Sequence, residues 1–237
     1  MWEPVTIGES GATVMVDRRN GLYRKVSDDP RDDLVGEGAR LSWLREHGIP
    51  AAEVIDCRPG LLVTAEVPGV SAAEKWPEAS RPRIVDALAD MIHALHALPI
   101  AECPFDRRLS VVMPEALAAD VDLDDVDDER TGWTRDELVA QLISTQPSKE
   151  DLVVCHGDLS LPNVMLDPET WQVSGFIDAG RLGVADRWAD LALVVRSLTE
   201  DFDPRREPRP ADRFLNRYGI ELDPLKNDFY RLLDEFF

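Results

Sequence analysis

Between Cys155 and Arg181 the chain reads Cys-His-Gly-Asp-Leu-Ser-Leu-Pro-Asn and later Ser-Gly-Phe-Ile-Asp-Ala-Gly-Arg. No other stretch constrains the fold as much, because it asks for Asp158, Asn163 and Asp178 to meet. Asn163 follows Asp158 by five positions, His156 precedes it by two, and Asp178 opens an Asp-x-Gly turn after an apolar strand. Three oxygen-bearing side chains in this order suit phosphoryl transfer, which needs positioning and charge neutralisation more than covalent help. Asp158 would accept a hydrogen bond from a substrate hydroxyl and take its proton as the bond to phosphorus forms. Asn163 and Asp178 would hold Mg2+, which favours hard oxygen ligands and is commonly held by one or two protein groups plus phosphates and water. Asp and Asn also cap and shape ordinary polar loops; the coincidence of three spacings argues against that simpler role.

Composition narrows the partners. At 237 residues, 44% hydrophobic and 30% charged, the chain can bury a substantial core as one domain or as two lobes. No apolar run approaches a membrane span, and Met-Trp-Glu-Pro-Val-Thr lacks the regions of a signal peptide, so a cytoplasmic protein without a membrane partner is expected. Cys57, Cys103 and Cys155 are widely spaced and show no CxxC pattern, which argues against a disulfide framework or structural zinc. A formal charge of −20 argues against nucleic acid and favours a small cationic substrate. ATP must still approach this acidic chain; Lys25 and Arg181 are the local cations to meet it.

The first third of the chain reads as a small sheet with one helix. Val5 to Ile7, the turn Gly8-Glu-Ser-Gly11, and Ala12 to Val16 predict strand, glycine turn and strand, with small residues where backbone N–H groups would approach phosphates. Asn20-Gly21 predicts a two-residue hairpin turn, and Leu22 to Val26 a third strand carrying Lys25. Asp32 to Glu46 places Leu34, Leu41 and Leu44 on a helical repeat and stops at His47-Gly48. Kinases hold nucleotide phosphates with a lysine on the third strand braced by a glutamate on the next helix, which makes Glu37 the brace for Lys25. Taken singly both read as solvated charges; their order argues otherwise. Glu53 to Cys57 and Leu61 to Ala65 complete five strands. Glu66-Val-Pro-Gly69 reads as a linker, with adenine bonded to extended backbone near Ala65 and Val67.

The remainder reads as mainly helical. Arg81 to Leu98 carries an apolar stripe stopped by Pro99, and Thr134-Arg-Asp-Glu137 opens a helix to about Gln146 with a capping box. His93 and His96 have a spacing compatible with metal but no evident third ligand, so packing or surface roles are expected. Asp120 to Glu129 holds seven carboxylates in ten residues, by charge alone a solvated loop or a receptor for ammonium groups. Val164 to Leu166 and Val173 to Ile177 predict a hairpin delivering Asp178. Ala185 to Leu198 and Pro224 to Phe237 predict helices. The fold class is therefore α+β, a bilobal protein-kinase-like fold. Residues 1–66 form a five-stranded antiparallel nucleotide lobe with one helix, and residues 67–237 a larger helical lobe for catalysis and substrate.

With these residues in view, the chain resembles the aminoglycoside 3'-phosphotransferases, antibiotic kinases with a protein-kinase-like fold. The segments that carry the resemblance are His156-Gly-Asp-Leu-Ser, Ser174-Gly-Phe-Ile-Asp-Ala-Gly-Arg181, Ala185-Asp-Arg-Trp-Ala-Asp190, Val195-Arg-Ser197 and Leu233-Asp-Glu-Phe-Phe237. The resemblance implies transfer of the ATP γ-phosphate to the 3'-hydroxyl of a kanamycin- or neomycin-type antibiotic, with Asp158 as catalytic carboxylate and Asn163 and Asp178 on Mg2+. It implies that Lys25 and Glu37 bind phosphates, that Tyr23 stacks on adenine, and that Ser10 contacts the terminal phosphates. Asp124, Asp127, Glu235 and the terminal carboxylate of Phe237 would receive ammonium groups, which turns the acidic run from solvated loop to receptor. Arg181 and Arg196 would face phosphates, catalytic loop or substrate, or serve as ion-pair partners. Ala179 stands where protein kinases have Phe, a departure this family shares. A related kinase for choline, a macrolide or a sugar is the alternative, and a monomer or weak dimer is expected.

Overall fold

The computed structural model describes residues 1–5, 12–29, 31–124, 126–202 and 209–237. The glycine turn and Ser10 lie outside the described residues. The N-terminal part is built from β1 (Glu3–Pro4), β2 (Thr13–Asp17), β3 (Leu22–Val26), α1 (Leu34–Glu46), β4 (Val54–Arg58) and β5 (Leu61–Ala65), in the antiparallel sheet order β1-β2-β3-β5-β4. Asp33 caps α1 by accepting the Gly36 N–H at 2.8 Å. The helix packs Leu41 and Leu44, at 1% and 0% exposure, against the sheet, where Leu62 is buried at 2%. The Asn20-Gly21 turn differs from its expectation. Asp17 pairs with Leu22, so four residues connect the strands, and Asp17 bonds the Asn20 side chain at 2.8 Å and its backbone N–H at 3.1 Å. The side-chain anchor at Asp17 favours the longer connection.

The larger part follows with β6 (Val70–Ser71), α2 (Arg81–His96), α3 (Leu109–Ala118), α4 (Arg135–Thr145), β7 (Leu152–Cys155), β8 (Val164–Leu166), β9 (Val173–Phe176), β10 (Gly183–Asp186), α5 (Trp188–Asp201), α6 (Pro210–Tyr218) and α7 (Pro224–Asp234). The expected capping box of α4 is present, Thr134 and Glu137 each bonding the other's backbone. The helix expected from Ala185 starts instead at Trp188. Gly183 to Asp186 pair antiparallel with Cys155 to Leu152, and the Asp186 carboxylate then receives the Trp188 N–H at 2.9 Å. Helices α3 and α6 have no counterpart in the sequence reading; Pro114 interrupts the helical signal of the first. The α2, α5, α6 and α7 helices share one core through Ile92, Leu95, Leu191, Phe214 and Phe229.

Two features position the site. The β8–β9 hairpin sets Asn163 and Asp178 at its two ends, joined by an Ile177 N–H to Asn163 carbonyl bond of 3.0 Å. The segment Pro50 to Ala52, just after α1, runs along β9: Phe176 donates to the Pro50 carbonyl at 3.0 Å and Ala52 donates to the Phe176 carbonyl at 2.9 Å. The parts before and after Glu66 are thus sewn together beside the hairpin. No helix among the described residues is long and apolar enough to cross a membrane.

Gly69 sits at this junction with φ +124°, and a Cβ there would lie 2.3 Å from the Leu166 carbonyl oxygen. Gly48, at φ +78°, has open space around the same position. Gly48→Ala is expected to cost about 1–2 kcal/mol, the strain of the left-handed region alone, and Gly69→Ala distinctly more. Urea unfolding of the two variants checks the order.

Candidate active site

The loop that carries Asp158 is fixed from below by one buried carboxylate. Asp190, on α5 and fully buried, accepts the backbone N–H of His156 and of Gly157, each at 2.8 Å, and His96 Nε2 at 3.0 Å. His96 Nδ1 lies 2.8 Å from the Tyr218 hydroxyl, which also receives Arg187 at 3.1 Å. One proton assignment satisfies every group: His96 gives its Nε2 proton to Asp190, Tyr218 donates to Nδ1, and Arg187 donates to Tyr218. His96 is therefore spent on a hydrogen-bond relay, and exposed His93 rests edge-on to Tyr218. His96, Cys155 and Asp190 offer ligand atoms within 4.8 Å of one another. The Cys155 thiol donates to the Asp186 carbonyl, and burial pushes its pKa well above the usual range.

Above this platform, His156 Nε2 bonds the Ile177 carbonyl at 3.0 Å, tying the loop to the residue before Asp178. Asn163 directs its amide N–H groups to the Asp158 carbonyl at 2.9 Å and to Asp158 Oδ2 at 3.0 Å. That orientation holds the Asp158 carboxylate and leaves the Asn163 carbonyl oxygen for a cation. Burial raises the Asp158 carboxyl above its ordinary value, with Arg181 pulling the other way. Asp178 occupies a left-handed backbone conformation, φ 58°, rare for a non-glycine residue and found preferentially at functional sites. Its Oδ1 accepts Lys25 Nζ at 2.8 Å, and Lys25 also meets Glu37 at 2.9 and 3.2 Å. Burial works against charge on Lys25, yet Asp178 and Glu37 outweigh it and raise the ammonium pKa. An amide oxygen and a cation-facing carboxylate at adjoining positions fit Mg2+ by donor chemistry.

On the nucleotide side, Tyr23 pairs across the sheet with Thr64, and burial followed by the Glu66 charge raises its hydroxyl pKa. The Ala65 N–H already donates to the Glu53 carbonyl at 2.8 Å, so that donor is taken. Val67 is buried against Gly175, where a Cβ would come within 2.8 Å of Val67 Cγ1.

The acidic side is more engaged than its charge suggests. Asp127, predicted as an ammonium receptor, meets Arg231 at 2.8 Å, Arg130 at 3.1 Å and Arg196 at 3.6 Å. Arg196 continues to Asp234 at 2.8 Å, and Asp234 to Arg181 at 2.7 Å; Arg181 also donates to the Phe237 backbone oxygen at 2.8 Å. Arg181 and Arg196 are thus ion-pair partners in one chain of alternating charge. Glu235 accepts the Asp127 N–H at 3.1 Å, while Asp124 is exposed on the loop. A cavity of about 50 Å³ bounded by Gly157, Arg181, Asp234 and Phe237 opens beside the catalytic loop.

Residues 2–230 match the phosphotransferase enzyme family, APH. The chain is 50% identical to an aminoglycoside 3'-phosphotransferase of Streptomyces fradiae, across 100% of this chain and 95% of the relative. The chain belongs to the aminoglycoside 3'-phosphotransferase family. The crystal structure of aminoglycoside-3'-phosphotransferase of type VIII superposes with a TM-score of 0.89 at 43% identity, covering 100% of this chain and 94% of that one. Aminoglycoside phosphotransferase APH(3'')-Id from Streptomyces rimosus, solved with ADP and streptomycin, gives 0.85 at 36% identity over 99% and 92%. The protein-kinase-like fold expected from the sequence is therefore the observed one.

Within this antibiotic-kinase fold, two residues central to the site had no role in the sequence reading. Asp190 and Asp234 both lie inside the segments that carry the family resemblance, and a carboxylate on a helix that otherwise faces the core was the available signal for the first. Burial lifts the Glu235 carboxyl to about 7, from an ordinary glutamate value near 4.5. A raised folded-state value means that the stability supplied by the protonated form is complete below the unfolded value and lost as pH rises through about 7. Glu235→Gln is accordingly expected to raise the urea midpoint at pH 8 and to leave it unchanged at pH 4. Unfolding curves across that range test it.

Proposed function

We propose that this kinase moves the γ-phosphate of ATP to the 3'-hydroxyl of kanamycin- or neomycin-type aminoglycosides and so confers resistance to them. The observation that carries the reading is that one hairpin has Asn163, which holds Asp158, at one end of its chain and Asp178, held by Lys25, at the other. The match to an aminoglycoside 3'-phosphotransferase at 50% identity along the whole chain supports the acceptor class. In this reading residues 1–66 bind nucleotide and residues 67–237 supply catalysis and the acceptor site.

Asp158 accepts the acceptor hydroxyl and takes its proton as oxygen attacks phosphorus. Its raised carboxyl pKa makes that proton easier to keep than on a solvated aspartate. Asn163 and Asp178 would hold Mg2+, which when bound offsets negative charge on the phosphates. Lys25, braced by Glu37, meets the phosphates, and Tyr23 faces adenine beside Val67. Asp124, Glu235 and the Phe237 end receive ammonium groups, since charge-assisted hydrogen bonds are the stronger kind and several together orient a rigid polycation. Orientation selects one hydroxyl by placing that oxygen alone beside Asp158. Asp127 acts here by tethering the acidic loop, because three arginines already share its carboxylate. Phosphorylation adds negative charge to a ligand whose hold on ribosomal RNA depends on positive charge.

A second reading, streptomycin phosphorylated at its 3''-hydroxyl, is favoured by the likeness to the APH(3'')-Id complex with ADP and streptomycin. Mg2+-dependent ADP release with kanamycin, a 3'-deoxy aminoglycoside, streptomycin and choline separates the cases. Turnover with kanamycin and none with the 3'-deoxy compound is the expected result. Turnover restricted to streptomycin promotes the second reading, and turnover restricted to choline removes antibiotics from the acceptor class. Asp158→Asn is expected to lower kcat by about 10²–10⁴-fold, the usual contribution of a general base, with ADP affinity retained; near-normal turnover would sink the assignment.

A further inference from the structure

Helix α1 reaches the Asp178 segment twice. One contact runs through Glu37 and Lys25 to Asp178. The other is made by Arg40, three residues further along the helix and on the same face. Its Nε donates to the Leu182 carbonyl at 3.0 Å across 142 positions of sequence. Between these anchors the chain turns tightly: the Leu182 N–H bonds the Ala179 carbonyl at 3.1 Å, and Ala179 and Leu182 are both fully buried. Gly180 lies against Glu37, whose Oε2 would be 3.9 Å from a Cβ at that position.

The guanidinium is held on its other sides as well. It stacks over the Phe105 ring at 4.9 Å and faces the Asp33 carboxylate at 3.6 Å. Gly36 leaves it room, since a Cβ there would fall 2.5 Å from an Arg40 terminal nitrogen. Phe105 belongs to the same strip as the segment's far end, its carbonyl accepting the Val184 N–H at 2.8 Å. The Asp33 pair is weak, because that carboxylate is 67% exposed and such pairs contribute little. The Arg40 side chain is only 17% exposed, so its bond to Leu182 is made where water competes poorly.

We propose that Arg40 is a positioning residue for phosphoryl transfer, fixing the far end of the Asp178–Leu182 segment through the Leu182 carbonyl as Lys25 fixes the near end. The proposal rests on the reading of Asp178 as a Mg2+ ligand. Its carboxylate extends from a backbone in an unfavourable conformation, and a conformation of that kind persists only where the surroundings over-determine it. Lys25 determines the side chain. Arg40, with the turn between them, determines the backbone. Arg40 would not touch nucleotide or acceptor and acts only through where Asp178 stands.

The test uses the full-length enzyme as wild type, Arg40→Met, Arg40→Lys and Asp178→Asn. Calorimetry measures ADP affinity with and without Mg2+ and kanamycin affinity without nucleotide; steady-state kinetics give kcat. Arg40→Met keeps the aliphatic stem and loses the donor. It is expected to lower the Mg2+-dependent gain in ADP affinity, and kcat, by about 10- to 100-fold, the usual effect of removing a residue that orients a metal ligand. ADP affinity without Mg2+ and kanamycin affinity stay at wild-type values, and Arg40→Lys, which restores a donor, recovers part of the loss. Wild-type kcat and a full Mg2+ gain in Arg40→Met overturn the proposal. So does an equal loss of ADP affinity with and without Mg2+ that Arg40→Lys leaves unrepaired, because that is a packing effect. A full Mg2+ gain in Asp178→Asn overturns the metal-site reading instead, which separates the two failures.

Discussion

One ammonium group joins the two halves of this chain at the point where its chemistry is placed. Lys25 stands on the third strand of the small sheet, and its two carboxylate partners come from α1 and, 153 positions along the chain from the lysine, from just past β9. Removing such a charge from water is costly, and the surrounding carboxylates repay the cost only while all three groups hold their positions. The orientation of α1, the depth of the sheet and the course of the Asp178 turn are consequently set together. The backbone bonds between Pro50–Ala52 and Phe176 belong to the same constraint, holding the end of α1's connection to the strand that leads to Asp178.

A second buried charge performs the matching task on the other side of the site. Asp190 is met by three N–H groups, two of them from the backbone of the loop that carries Asp158. A carboxylate satisfied in this way is rigid, because each donor is itself fixed by the element that carries it. Asp158 therefore stands on a loop whose backbone is anchored below by Asp190 and whose side chain is steadied above by Asn163. The geometry of the candidate site is a property of the core as much as of the cleft.

Much of this was legible in one dimension because it depends on local order. The strand and helix sequence around Lys25 and Glu37, the spacing of Asp158 and Asn163, and the hairpin before Asp178 are short-range patterns, and the fold follows them. What the sequence concealed is tertiary. Ala185 and Asp186 read as the start of a helix until β7 is present to pair with them. Asp127 reads as a free anion until Arg196 and Arg231 converge from distant stretches of chain on the same carboxylate as its near neighbour Arg130. Helix α3 is hidden by Pro114, tolerated inside it while Val112, Met113 and Ala116 bury against the core.

The chain of alternating charge from Asp127 through Arg196 and Asp234 to Arg181 gives the proposed acceptor side an unusual starting state. Its carboxylates already have counterions, supplied by the protein, before any polycation arrives. Under the proposed function, association includes an exchange of partners, in which a ligand ammonium group competes with the Arg181 guanidinium for the Phe237 oxygen. Such a surface can change its preference among cationic ligands without gaining a single new acid. In the proposed site, deleting Arg181 would release the Phe237 oxygen while Asp234 keeps Arg196, so the antibiotic range of a chain like this can drift through its basic residues while its acidic residues remain unchanged.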